Sequence, residues 1–230
     1  MDGTEGVIRA SVLAPLGKRA GFTTRALGEA WTAPPGVKVF GIRQVHSSRV
    51  IRVTQQSDPE TVRRTEADGI VTVGRDVALT IRVADCVPVL LSTPDGGSAA
   101  ALHAGWRGIA SGILGRGVET ICEEAGCAPS DLLGAAGPAI GPCCYEVDLA
   151  TGRRIASPAA GGVLSKPYGD GKVKADLWRA VLEQLAAAGM RPGNTEAIRR
   201  CTRCNPDLFH SYRRDGPRAG RQMGFIVTID

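Results

Sequence analysis

Three residues in this chain carry side chains suited to binding a metal or attacking a carbon centre: His46, Cys86 and His103. The chain has only three histidines, so their placement is informative. Two imidazoles and one thiolate meet the ligand preferences of zinc. Three protein ligands leave a fourth position for water or substrate, which is the catalytic pattern. Water in that position would ionise near neutral pH and supply a nucleophile. The ligands stand forty and seventeen residues apart and follow no short metal-binding motif. By spacing alone they also read as hydrogen-bonded core histidines and a small buried thiol. A third reading makes Cys86 a nucleophile. Asp85 precedes it and His103 would act as its base, an arrangement that supports acyl transfer or hydrolysis. Metal ligation and nucleophilic attack compete for the same sulfur.

Other cysteines are harder to read. Cys201-Thr202-Arg203-Cys204 is a CxxC, a spacing used in metal and redox sites. A closed zinc site needs a second pair, and the nearest, Cys143-Cys144, is adjacent and geometrically awkward. Asn205-Pro206 follows the CxxC, so a loop is expected rather than a redox helix, with structural or incidental thiols. Gly137-Pro138-Ala139-Ile140-Gly141-Pro142 reads either as a plain turn or as a loop presenting backbone N–H groups to a ligand. It lacks the GxGxxG and Walker spacings, so no nucleotide cofactor is implied.

The elements that must position these residues are mostly strands. Residues 37–45 alternate apolar and polar side chains and predict a strand that delivers His46 at its end. Residues 50–53, 69–73 and 77–83 are short and β-branched, and predict three more. Pro88 predicts a bend or a new element after Cys86. Pro94-Asp95-Gly96-Gly97 is a hairpin turn, and residues 98–102 return as a small-residue strand ending at His103. The period then changes. Trp106, Ile109, Ile113, Leu114, Val118, Ile121 and Cys122 form one helical stripe closed by Gly126. A second helix over 177–188 is capped by Asp176, ended by Gly189 and buried through Leu177, Val181, Leu182 and Leu185. Residues 223–229 predict a final strand. Strands and helices do not alternate regularly, so an α+β layered fold is expected over a single domain, 1–230.

Composition excludes several classes. The 230 residues are 43% hydrophobic and 22% charged, ordinary for a globular chain. The net charge of +5 comes with short, interrupted arginine runs and only 4% aromatic residues, which argues against a nucleic-acid binder and suits a small anionic substrate. The acidic start, Met1-Asp2-Gly3-Thr4-Glu5-Gly6, lacks the apolar core of a signal peptide. No apolar run approaches the ~20 residues needed to span a bilayer. Seven cysteines without a leader are expected to be reduced, in the cytoplasm.

Seven segments occur in an order that carries a resemblance: Phe22-Thr23-Thr24-Arg25, Gln44-Val45-His46, Ala67-Asp68-Gly69, Ala84-Asp85-Cys86, His103-Ala104-Gly105-Trp106-Arg107-Gly108, residues 137–145, and Ser211-Tyr212-Arg213-Arg214-Asp215. Together they make the chain similar to the polyphenol oxidase (laccase-like) family. That family is also described as peptidoglycan editing factors and as purine nucleoside phosphorylases with adenosine deaminase activity. The resemblance implies a four-layer α/β/β/α sandwich with mixed sheets, related in shape to toxin cysteine hydrolases. It implies zinc at His46, Cys86 and His103, and the family's older name admits copper. The implied reactions are phosphorolysis of adenosine, inosine or methylthioadenosine to base and ribose 1-phosphate, and deamination of adenosine to inosine. The alternatives are a copper polyphenol oxidase and a hydrolase that edits peptidoglycan precursors through Cys86. Arg25, Arg43, Gln44 and Arg107 are the expected phosphate and substrate contacts, with a salt bridge or helix-surface role as the alternative for Arg107, and Asp85 is either a proton shuttle or a support for the metal loop. Arg213-Arg214-Asp215 is expected to form a surface ion-pair network. One departure is Ser47, where members commonly carry glycine; it would narrow the pocket or add a hydroxyl there. The expected partners are a purine nucleoside and phosphate, with no nucleic acid and no membrane, and the expected assembly is a monomer or weak homodimer.

Overall fold

The β-branched runs on either side of Ala84-Asp85-Cys86 fold into strands of two different sheets, so the motif lies where the chain crosses between them. A computed structural model describes residues 6–157 and 162–228. The acidic start before Gly6 and the last residue of the expected final strand, Ile229, lie outside the described residues. In chain order the first elements are β1 (Val7–Ile8), β2 (Ala20–Thr23), β3 (Lys38–Phe40), β4 (Val50–Arg52), α1 (Pro59–Arg64), β5 (Gly69–Thr72) and β6 (Val77–Val83). Then come β7 (Val87–Ser92), β8 (Ala99–Ala104), α2 (Trp106–Ala110), α3 (Ile113–Ala125), β9 (Leu133–Ala136), β10 (Glu146–Asp148) and α4 (Leu149–Ala156). The chain ends through β11 (Lys172–Lys174), α5 (Leu177–Ala187), β12 (Thr195–Ala197), α6 (Tyr212–Asp215) and β13 (Gln222–Thr228).

The result is a layered mixed α/β fold. One sheet has the order β1-β2-β13-β6-β3, the other β12-β9-β7-β8-β5-β4, and β10 pairs with β11. Both large sheets are mixed: β3/β6, β4/β5 and β12/β9 are parallel, and the remaining pairs antiparallel. Phe22, Phe40, Leu79 and Ile226 of the first sheet meet Ile70, Leu90, Ala101 and Ala135 of the second in the central core. The second sheet's other face packs Val89, Leu91 and Leu102 against Ile113, Leu114 and Val118 of α3 and Trp178, Val181 and Leu185 of α5. The first sheet's outer face carries a thin layer of chain between β2 and β3, in which Trp31 stacks on Phe225 with ring centroids 4.1 Å apart.

Strand parity places the chemistry. Alternate residues of β8 face opposite sides: Ala100, Leu102 and Ala104 meet the helices, while Ala99 and Ala101 face the other sheet. His103 follows the second set and points between the sheets. Cys86 packs on that same central core, by the same parity along β7.

Three local expectations are corrected. The strand expected over 37–45 stops at Phe40; beyond it Arg43 pairs with the segment before β5 through Thr65 and Ala67, and the chain turns at Val45 to a carboxylate described below. The single stripe over 106–122 is two helices. Gly112 takes φ 82°, a left-handed conformation cheap only for glycine, and breaks the rod between α2 and α3. In α5, Asp176 accepts the N–H of Arg179 as the expected cap, but Leu182 is only half-buried while Trp178 is buried.

Pro88 lies inside β7. Its carbonyl accepts the N–H of Gly137 at 2.8 Å, one step beyond the Val89–Ala136 pair of the ladder. Proline has no N–H to return, and the Gly137 carbonyl is taken instead by the Trp178 indole N–H at 2.9 Å.

Candidate metal centre and the cavity beside it

His46, Cys86 and His103 converge: one ligand atom from each lies within 4.8 Å of the others. Cys86 Sγ is 3.9 Å from His46 Nε2, and the two imidazole rings meet edge to face at 4.8 Å. His46 is exposed, Cys86 half-buried and His103 4% exposed, so the group opens to one side. His46 comes from the crossing between β3 and β4, Cys86 from the crossing between β6 and β7, and His103 from β8.

Asp68, to which the sequence assigns no role, organises the two histidine-bearing segments. Asp68, fully buried just before β5, accepts the N–H groups of Val45 (3.2 Å), His46 (2.9 Å) and Ser47 (2.6 Å). Three successive N–H groups cannot converge on one acceptor from an extended strand, where they alternate sides. This is why the chain turns at Val45 and why His46 adopts φ 62°. Asp68 also accepts from His103 Nδ1 at 2.7 Å, which fixes the ring and leaves Nε2 for the centre. Ser47 belongs to the same arrangement. Its hydroxyl donates to Asp68 at 2.8 Å, and it is not among the residues lining the cavity, so it braces the loop rather than narrowing the pocket.

The electrostatics form a chain of opposite charges. Burial opposes a thiolate at Cys86, but His103 and His46 outweigh it and bring the thiol down to about 6. Burial also opposes a charged His103, yet Cys86 and Asp68 raise it to about 9. Asp68, despite its own burial, is held at about 2 by His103 and Ser47. Gly105 completes the cradle: a Cβ there would lie 2.9 Å from His46 Cδ2 and 3.1 Å from Cys86 Sγ, so no larger residue fits beside the ligands. Two imidazoles, one easily ionised thiol and this close backbone form a donor set that fits a zinc ion.

The three ligands form part of the wall of a cavity of about 880 Å³. Its lining includes Arg43, Arg82, Arg107, Arg213 and Arg221 against only two acids, Glu29 and Asp85, so the space favours anions. Trp106, Ile140, Tyr145 and Tyr212 supply apolar surface. Arg107 lies over the Trp106 ring at 4.7 Å and Arg213 over Tyr145 at 5.1 Å. Burial pushes the Tyr145 hydroxyl up to about 12, so it stays protonated at neutral pH.

Other residues singled out from the sequence are placed as follows. Asp85, at φ 90°, lines the cavity with both carboxylate oxygens engaged, accepting from Thr202 Oγ1 and from the Arg213 N–H at 2.6 Å each. Gln44 lines it too, but its amide pairs with the Arg82 backbone in both directions, at 2.8 and 2.9 Å. Arg43 is exposed and paired with Glu66 at 3.3 Å. Arg25 lies outside the lining, donating to the Pro206 carbonyl at 3.1 Å. Arg214 and Asp215 pair at 2.8 Å as expected, whereas Arg213 turns into the cavity wall. Arg82, Trp106, Tyr145 and Arg221 also line the cavity, and nothing in their spacing separates them as contacts from other arginines and aromatics.

Over residues 22–229 the sequence matches the multi-copper polyphenol oxidoreductase laccase family. It is 36% identical over 209 residues to the purine nucleoside phosphorylase YlmD of Geobacillus stearothermophilus, across 88% of this chain and 76% of that protein. It is 36% identical over 190 residues to the purine nucleoside phosphorylase Cgl2154/cg2365 of Corynebacterium glutamicum, across 82% and 74%. The crystal structure of YlmD from Geobacillus stearothermophilus superimposes with a TM-score of 0.88 at 30% identity, covering 100% of this chain and 98% of that one.

Proposed function

The chain belongs to the multi-copper polyphenol oxidoreductase laccase family, and on that premise we propose that it is a zinc-dependent purine nucleoside phosphorylase that also deaminates adenosine. The observation that carries this reading is the meeting of His46, Cys86 and His103 at the wall of an arginine-lined cavity. Relatives named purine nucleoside phosphorylases support the substrate class. Zinc held by these three residues would supply Lewis acidity and leave a position open beside the substrate.

The chain's own residues do the rest. Arg107, Arg213 and Arg221 hold phosphate, with Arg43 at the entrance; Arg25, outside the lining, adds field rather than contact. Gln44 acts indirectly, by fixing the Arg82 backbone. Trp106 and Tyr145 offer flat faces to the purine. The protonated Tyr145 hydroxyl suits a donor to the departing base. Asp85, with both oxygens engaged, holds the wall through Thr202 and Arg213. A reducing, cytoplasmic setting would keep the cysteines of the two ligand groups available to metal. Among the described residues no helix is long and apolar enough to cross a membrane.

Metal-loaded protein supplied with adenosine tests the reading. Adenine plus ribose 1-phosphate, dependent on added phosphate, would establish phosphorolysis; inosine plus ammonia would establish deamination. No turnover of adenosine, inosine or methylthioadenosine would overturn both. Metal analysis belongs to the same experiment, because two histidines and a cysteine also match a mononuclear copper site. Three histidines are too few for a multicopper cluster, and His210 stands apart from the other two.

One observation favours a second reading. Cys86, His103 and Asp68 stand in the order nucleophile, base and orienting carboxylate, with Asp68 in the place the sequence suggested for Asp85. A thiol hydrolase acting on peptidoglycan precursors would be favoured if metal-free protein hydrolysed them and lost that activity on Cys86 alkylation.

A further inference from the structure

Cys143, Cys144, Cys201 and Cys204 take no part in that chemistry, yet their four sulfurs lie within 4.8 Å of one another. We propose that they form a second, closed zinc site with a structural role. Cys204 Sγ is 3.3 Å from Cys144 Sγ and 3.6 Å from Cys143 Sγ. A disulfide would bring two sulfurs to about 2.05 Å. Four sulfurs placed tetrahedrally around zinc at about 2.3 Å stand about 3.8 Å apart, so the spacing is that of a ligand shell.

Two adjoining turns build the cluster. The N–H groups of Cys144 and Tyr145 both donate to the Gly141 carbonyl at 2.9 Å. That tight turn makes the adjacent Cys143-Cys144 pair usable, which its sequence spacing alone did not suggest. The Ala139–Cys201 bridge and the Thr202 N–H on the Ala139 carbonyl, at 2.9 Å, lay the CxxC alongside. Asn205 closes the CxxC turn by donating its amide to the Cys201 carbonyl at 2.7 Å. Gly141 donates its N–H to Cys201 Sγ at 3.2 Å, the kind of support a metal-bound thiolate takes from the backbone. A larger residue there would crowd the cluster, since a Cβ would sit 3.2 Å from Cys143 Sγ and 3.3 Å from Cys201 Cβ. Cys143 and Cys204 are exposed, so an ion can enter from solvent.

The role follows from what the two turns carry. The first supplies Ile140 and Tyr145 to the cavity, and the second supplies Thr202, which holds Asp85. A four-thiolate ion would bind these segments to each other and fix that wall, with no position left for substrate.

Wild-type protein purified from zinc-supplemented cells without chelator is expected to hold about two zinc equivalents per chain, one for each ligand group. Cys86→Ser should keep the four-thiolate equivalent. After exchange into cobalt, Cys86→Ser should retain the intense near-ultraviolet thiolate-to-metal band, and Cys204→Ser should lose most of it. If Cys204→Ser does not fold, a mercurial thiol reagent added to Cys86→Ser should release about one zinc as the remaining thiols react. Metal-free Cys86→Ser, alkylation of all four thiols in the native zinc-supplemented protein, a disulfide among them, or iron in their place would overturn the proposal. The count in Cys86→Ser separates this result from any failure of the catalytic centre.

Discussion

Five hydrogen bonds converge on the Asp68 carboxylate, and they reach both histidine-bearing segments of the candidate centre. Replacing it tests whether the ligands are held or merely near one another. Asp68→Asn should lower zinc affinity about 10–100-fold, measured by competition with a chromophoric chelator. Ser47→Gly, which removes only one of the five, should change it far less. Equal affinity in wild type and Asp68→Asn would show that the carboxylate does not orient the ligands. The same residues set a pH dependence. Zinc takes a thiolate and a neutral imidazole. In the metal-free centre Cys86 is a thiolate above about 6, while His103 keeps a proton until about 9. Binding within that window must expel the His103 proton, so affinity should rise about tenfold per pH unit, more steeply below it, and level off above. The same competition assay at stepped pH reads this directly, and a flat profile from pH 7 to about 8.5 would contradict it.

At the scale of elements, Pro88 and Trp178 answer each other across β7, β9 and α5. The Trp178 indole occupies the Gly137 carbonyl that proline leaves without a ladder partner. Trp178→Phe keeps an aromatic side chain but strands that acceptor and leaves a small cavity where the indole packed, at an expected cost of at least about 1–3 kcal/mol in chemical denaturation. Zinc stoichiometry should be unchanged, and a variant as stable as wild type would show that the carbonyl finds another partner. Much of this architecture was legible. The runs at 69–72 and 77–83 are β-branched between turns, and Asp176 and Gly126 mark helix ends as their side-chain chemistry requires. Elements governed by distant partners were not. Residues 41–45 alternate like a strand, but the Arg43 N–H answers to the Thr65 carbonyl, the Gln44 side-chain amide to Arg82 and the Val45 N–H to Asp68. The stripe from Trp106 to Cys122 runs unbroken through Gly112, because periodicity does not register a single left-handed residue. The metal ligands were legible by type. Asp68, one of 23 acids, lies in the resembling segment Ala67-Asp68-Gly69, but nothing local shows what it binds, and Cys143-Cys144 looks awkward in the sequence although a turn brings both sulfurs to one side.

Across the whole molecule, the ligands are distributed so that an ion would join the two sheets. His46 and Cys86 stand on two crossings between the sheets, and His103 on a strand of the six-stranded one. His46 and Asp85, each at one of these crossings, hold positive φ, a conformation that costs a non-glycine residue on the order of 1 kcal/mol or more. A ligand that binds only the folded chain stabilises it by mass action, about 4 kcal/mol at a thousand times its dissociation constant. For a chain of this size, that corresponds to a rise in Tm of about 10 °C. Chelator-stripped protein should therefore melt well below the zinc-saturated form in calorimetry. Cys86→Ser, with the four-thiolate cluster intact, should recover only part of the rise when zinc is restored. If Cys86→Ser gains as much as wild type, the ion between the sheets contributes nothing to the fold, and the four-cysteine site accounts for the whole effect.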